Sequence, residues 1–217
     1  MKKLFLSIPF IFLIANLAFA FDNGDFQVWN NEALSWKIRR DWKMAFEEEL
    51  RFGDDGGNLY YQHSDLSIHY SGFSKWLSMG LGYRQVFEKK KGEWKEENQP
   101  NFIITLKEKI ANFELSDRNR FEYREIEDSD DGWRYRNKIT IGLPFEFTRQ
   151  EIKPFVSDEI FVDIDKEELS QNRLYSGFSF KIIKNLNGEL YYLWVDSKKS
   201  GKWIDSFVLG TKLAYSF

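Results

Sequence analysis

The chain has no cysteine among its 217 residues. A disulfide framework, a cysteine metal site and a lipid-modified cysteine are therefore excluded, so stability has to come from packing or from a backbone ladder. Proline is scarce, at four residues, and no Pro- or Ser-rich stretch marks a linker, so the chain reads as one domain. Positive charge is in deficit. The formal net charge is −3, or −5 once Lys2 and Lys3 are set aside, which argues against nucleic acid as a partner. Beyond residue 20 there is no long apolar run, so no helical membrane span is expected there. A phosphate-binding glycine loop is missing too: Gly80-Leu81-Gly82 falls inside an alternating segment, where small residues relieve crowding or bend a sheet. Asp128-Ser129-Asp130-Asp131-Gly132 resembles part of a calcium loop but lacks the glutamate at the twelfth position. No cofactor and no metal are expected.

What is present begins with an export signal. Lys2 and Lys3 precede an apolar core from Leu4 to Leu17, and Ala18-Phe19-Ala20 supplies a small-x-small cleavage pattern. The core is shorter than the roughly 20 apolar residues a spanning helix needs, and polar Asp22-Asn23-Gly24-Asp25 follows at once. Residues 1–20 are expected to be a cleaved signal peptide and residues 21–217 the mature domain.

The mature region alternates. In Trp42–Phe52 the even positions are apolar except Glu48, while the odd ones carry Lys43, Glu47, Glu49 and Arg51. A helix would scatter those charges; a strand places them on one face. The same pattern covers Leu59–Tyr70, Trp76–Glu88, Phe102–Ile110, Phe113–Glu125, Trp133–Leu143, Ile152–Val162, Arg173–Ile183, Glu189–Val195 and the run that ends in Phe217. A mean hydropathy of −0.52 is compatible with one kind of membrane protein, a β-barrel, in which lipid-facing and lumen-facing residues alternate. Short connections such as Ala111-Asn112 and long charged ones such as Lys89–Gln99 and Asp163–Ser170 suggest a short-turn end and a long-loop end.

The last strand, with large apolar residues at most odd positions up to Phe217, resembles the closing strand of a bacterial outer-membrane barrel, whose terminal Phe is the signal read by the assembly machinery. With that terminus in the periplasm, Leu34–Ile38 runs downwards and Phe26–Trp29 becomes a short first strand turning at Asn30-Asn31-Glu32. The expected fold is all-β: a transmembrane antiparallel up-and-down β-barrel of about twelve strands, or ten if the first pair stays out of the ladder. Tryptophans near strand ends, Trp29 among them, suit an aromatic girdle at the headgroups.

Charge is densest on two neighbouring strands. Arg118, Arg120, Glu122 and Arg124 share one face, and Arg134, Arg136 and Lys138 share another. Facing lipid at the midplane, each Arg or Lys would cost roughly 2–4 kcal/mol, so these residues are expected to line a lumen. Two readings stand. The stripe guides a small anionic solute, or the arginines pair with Glu47, Glu49 and Glu122 and fill a narrow interior. His69-Tyr70-Ser71 places His and Ser two apart and faintly resembles the His-x-Ser pair of outer-membrane phospholipases and deacylases. Gly72 stands where that pattern has Asn, and the pair sits in the lumenal phase. The chain is therefore read as no enzyme, with a lipid hydrolase using His69 and Ser71 as the alternative.

At Val28-Trp29, at Trp42 with Glu47–Arg51, and at Arg118-Asn119-Arg120-Phe121-Glu122-Tyr123-Arg124 followed by Trp133-Arg134-Tyr135-Arg136, the chain is similar to an uncharacterised bacterial family of outer-membrane barrels, a domain of unknown function (DUF2490-like). The resemblance spans the mature chain and implies a fold and a location, the cell outer membrane, with lipid and the barrel-assembly machinery as partners. A looser likeness is to acidic-oligosaccharide porins, which share this length and an arginine-lined channel. The acidic residues interleaved here depart from a purely basic lumen.

Overall fold

The computed structural model describes residues 24–199 and 201–217; the expected signal peptide over residues 1–20 lies outside them. The described residues form strands joined by turns and short connections. In chain order they are β1 (Asp25–Arg39), β2 (Trp42–Gly53), β3 (Asn58–Ser74), β4 (Leu77–Lys90), β5 (Glu93–Ile110), β6 (Phe113–Ile126), β7 (Gly132–Gly142), β8 (Lys153–Asp163), β9 (Glu168–Ile183), β10 (Leu186–Lys199) and β11 (Lys202–Ser216). Each pairs antiparallel with the next, and β1 pairs with β11 to close the barrel.

Eleven strands lie within the range the alternation allows, but the first pair is not a pair. Phe26–Trp29 and Leu34–Ile38 belong to one continuous strand, β1. The turn expected at Asn30-Asn31-Glu32 does not form because neighbours on both sides satisfy those residues inside the ladder. Asn30 Nδ2 donates to Thr211 Oγ1 at 3.0 Å, and Asn31 Nδ2 donates to Glu49 Oε2 at 3.3 Å. Pairing on two edges outweighs the local turn preference of Asn. The odd count then forces one parallel contact. It runs from Asp25 opposite Ser206 to Ser35 opposite Ser216.

The connections at the Phe217 end are two residues long at 40–41, 75–76, 111–112 and 184–185. Ala111 and Asn112 both have positive φ, 48° and 73°, the backbone of a tight hairpin whose twist matches its strands. The length asymmetry expected from sequence is weaker than Lys89–Gln99 suggested. That stretch is a hairpin tip, with Lys90 opposite Glu93 and only residues 91–92 outside the ladder. The longest connection, 143–152, lies instead at the Phe217 end.

Strand period decides what each face meets. Outside, Leu66, Leu81, Ile139, Leu174 and Leu190 are exposed in a belt. Exposed Trp42 and Trp76 edge the belt at the Phe217 end, and Trp94, Trp133 and Trp203 edge it at the other. Trp29 departs from the expected girdle. It points inward, 3% exposed, and donates Nε1 to Gln27 Oε1 at 2.9 Å. Some outward positions are polar, and they hydrogen-bond to one another. Ser64 donates to Glu48 at 2.6 Å, Asn172 to Asp158 at 2.8 Å, and Asn137 links Asp117 and Asn119 at 2.5 and 3.1 Å. Mutual hydrogen bonding satisfies polar groups that stand within an apolar belt.

A lumen in two halves: the candidate functional site

Because each strand's inward residues alternate with its outward ones, the interior collects every second side chain of eleven strands. β6 contributes Arg118, Arg120, Glu122 and Arg124; β7 contributes Arg134, Arg136 and Lys138; β2 contributes Lys43, Glu47, Glu49 and Arg51. These inward residues sort into two layers.

The layer farther from Phe217 is filled. Glu122, 0% exposed, accepts from Arg134 Nε at 2.6 Å and from Arg136 Nη1 at 3.0 Å. Arg136 Nη2 continues to Glu159 at 2.8 Å, which also accepts from Tyr175 Oη at 2.9 Å. Asp65 on β3 accepts from Arg84 Nε at 2.9 Å and from Arg120 Nη1 at 3.1 Å. Arg120 sits on β6, three strands from β3, so that bond crosses the lumen. Arg51 pairs with Glu49 at 2.6 Å, its guanidinium 3.8 Å from the centre of the Trp29 ring and 3.9 Å from that of Tyr61. Arg124 closes on Glu97, its Nη2 at 2.8 Å. Planar guanidinium forks suit both the carboxylates and the aromatic faces. Each buried carboxylate and guanidinium of the layer lies within ion-pair distance of an opposite charge, which offsets the cost of its burial.

The layer nearer Phe217 is open. A cavity of about 1210 Å³ extends from the underside of the ion-pair layer to the rim, where Lys75, Trp76, Lys109, Glu114 and Ser216 line it. Among the described residues, none from the connections at the opposite end lines it. Its wall carries Lys43, Lys107, Arg118, Lys138 and Lys212 together with Glu47 and Glu189. Lys212 Nζ donates to Glu47 at 2.8 Å, and Arg118 lies 3.6 Å from Glu159.

The charged residues singled out from sequence thus divide. Arg120, Glu122, Arg124, Arg134, Arg136 and Glu49 belong to the filled layer, while Arg118, Lys138 and Glu47 face the cavity. Asp65, Arg84, Glu159 and Arg173 escaped the sequence reading. Glu159 was hidden because Phe155 and Phe161 share its face, so neither side of β8 looks clean. The His69 and Ser71 side chains are not partnered with each other. His69 Nε2 lies 3.0 Å from Ser67 Oγ, whereas exposed Ser71 donates Oγ to the Asp41 carbonyl at 3.4 Å. A register shift between Tyr70 and Ser74 separates that turn from the regular ladder. Asp128 pairs with Lys95 at 2.6 Å and Asp131 accepts from the Ile126 amide at 3.0 Å, and no cluster suited to a metal occurs among the described residues.

No curated protein and no solved structure matches the chain. One family model does match, over residues 26–205, a stretch that begins at the second residue of β1 and ends inside β11. With the whole barrel nearly covered, the chain belongs to the family described as "Protein of unknown function (DUF2490)".

Proposed function

We propose that this protein is an outer-membrane β-barrel whose lumen is closed by its own ion pairs, a sealed barrel open as a vestibule at one end. The observation that carries the sealed state is the Arg120–Asp65 bond, which joins β6 to β3 across the lumen inside a continuous ion-pair layer. Support for the membrane comes from the exposed apolar belt and its two tryptophan rims. Strands of 11 to 18 residues also reach or exceed the roughly 9–11 that a tilted transmembrane strand needs.

Planar bilayers test the seal. The refolded mature protein, identified as folded by its heat-modifiable gel mobility, should give no steady conductance. Removing both ends of the cross-lumen bond, Asp65→Ala with Arg120→Ala, should produce one. Steady conductance from the unmodified protein would sink the sealed reading and favour a narrow anion channel.

Phe217 serves assembly in this proposal. Its ring stacks on Trp36 with centroids 5.4 Å apart, and its amide donates to the Ser35 carbonyl at 2.9 Å, so it secures the end of the β1–β11 seam. Phe217→Ala should slow folding into vesicles several-fold while leaving the strand content of the folded fraction unchanged by circular dichroism.

A further inference from the structure

The cavity is strongly basic in a chain that is not. Twelve Lys and Arg side chains line it against seven Asp and Glu, although the whole chain carries a net charge of −3. The arginines do not account for the surplus, since those of the ion-pair layer are held by Glu49, Asp65, Glu122 and Glu159. What is left over is lysine. Among the described residues, Lys43, Lys107 and Lys138 lie within ion-pair distance of no carboxylate; Lys138 Nζ instead rests 3.6 Å from the centre of the Tyr175 ring. They come from β2, β5 and β7 and so approach from separate sides of the vestibule.

These cations also act on one another. Lys43 is within electrostatic reach of Lys107 and Lys212, and Lys138 of Arg118 and Lys212 as well as of Glu159 and Glu189. A walled recess in which one sign of charge prevails concentrates the opposite ion inside it. The set has two tiers. Lys43 and Lys107 are exposed near the rim, while Lys138 and Lys212, the latter paired with Glu47, are half-buried against the ion-pair layer. Lysine ammonium is a compact point charge with three donors, suited to a phosphate that several of them approach from different directions. Ser67, Thr105, Ser116 and Thr140 supply hydroxyls to the same wall.

We propose that the vestibule binds a small, hydroxyl-bearing solute with two phosphate groups, one at each tier, entering from the Phe217 end. This rests on the sealed-barrel reading, in which the recess has a floor. A free solute and a lipid headgroup share the phosphate chemistry, and the geometry favours the free solute, because the lysines line the inside of the barrel and acyl chains lie outside it.

Isothermal titration of the refolded protein with fructose bisphosphate tests the proposal, with fructose monophosphate and fructose as comparisons. Binding should follow the number of phosphates, with none for fructose, and should weaken as salt is raised. Lys43→Gln, Lys107→Gln and Lys138→Gln should each weaken it by about tenfold, the loss of one charged hydrogen bond. Lys90→Gln, at the opposite rim, should leave it unchanged. Absence of binding at millimolar concentration, or binding indifferent to the three substitutions, would overturn the site, as would displacement of the sugar by phosphatidylglycerol in mixed micelles. Heat-modifiable mobility verifies each variant's barrel separately, so a failed titration leaves the sealed-barrel reading standing.

Discussion

Glu122→Ala should destabilise the barrel by about 3–5 kcal/mol, read as a lower urea midpoint of the protein refolded in detergent micelles. The size of the effect follows from where the charge sits. Glu122 is fully buried and holds Arg134 at 2.6 Å and Arg136 at 3.0 Å, with Arg120 at 3.7 Å. Deleting the carboxylate leaves guanidinium groups that the closed layer cannot hydrate. The cost is that of the orphaned cations, more than that of any single bond. Two controls separate the causes. Lys166→Ala, which breaks an exposed pair with Asp163, should leave the midpoint unchanged, since solvated ion pairs contribute little. Combining Glu122→Leu with Arg134→Leu and Arg136→Met should recover much of the loss, because the layer then contains fewer unpaired charges. Equal loss in the single and combined variants would show that packing volume, and not charge, governs the layer.

Gly210→Ala should cost about 1–3 kcal/mol, the range for overpacking a filled interior. A Cβ built on Gly210 would stand 2.0 Å from Tyr191 Cε2 and 2.1 Å from its Cζ, so the tyrosine ring lies directly on the glycine. The neighbouring strand confines the ring on its other side. A Cβ on Gly177, on the other flanking strand, would meet Tyr191 Cβ at 2.6 Å, and Tyr175 packs against the ring with centroids 5.5 Å apart. Tyr191 is 7% exposed and joins Trp29, Leu193, Val195 and Val208 in the buried cluster beside the seam. Shortening the tyrosine frees the space the new methyl needs. In a double-mutant cycle, Tyr191→Leu should therefore absorb most of the Gly210→Ala penalty. Additive losses would mean that the glycine is required for its backbone and not for the ring above it.

Much of this was legible in the residues because a strand has a period of two. Alternation located ten of the strands, and it separated inward Arg120 and Arg136 from outward Phe121 and Tyr135 before any neighbour was known. Alternation is silent about azimuth. It assigns Arg120 to a face but cannot say that its partner lies on β3, because Asp65 is 55 residues away and is brought near only by closure of the ring. Short-range preference misled at Asn30-Asn31-Glu32, where two flanking strands supply hydrogen bonds that an isolated segment lacks. It misled again at Lys89–Gln99, where a run of charges resembled a loop although cross-strand pairing accommodates them. Glu48, the one polar outlier on its face, was the visible sign of the outward hydrogen-bonded pairs, and its partner Ser64 lies on the next strand.

The parallel seam also sets how the barrel would resist force. β1 and β11 run side by side in the same direction, so residue 24 and residue 217 emerge at opposite rims. Tension applied between them pulls the two strands past each other along their length and loads the whole seam, from Asp25–Ser206 to Ser35–Ser216, in shear. In a barrel with an even strand count both ends leave from one rim, and the same tension peels the seam open one hydrogen bond at a time. Here the bonds must yield together, and the last strand is clamped as well by the Phe217 stack on Trp36. The odd strand count turns the closing seam of the barrel into its mechanical lock.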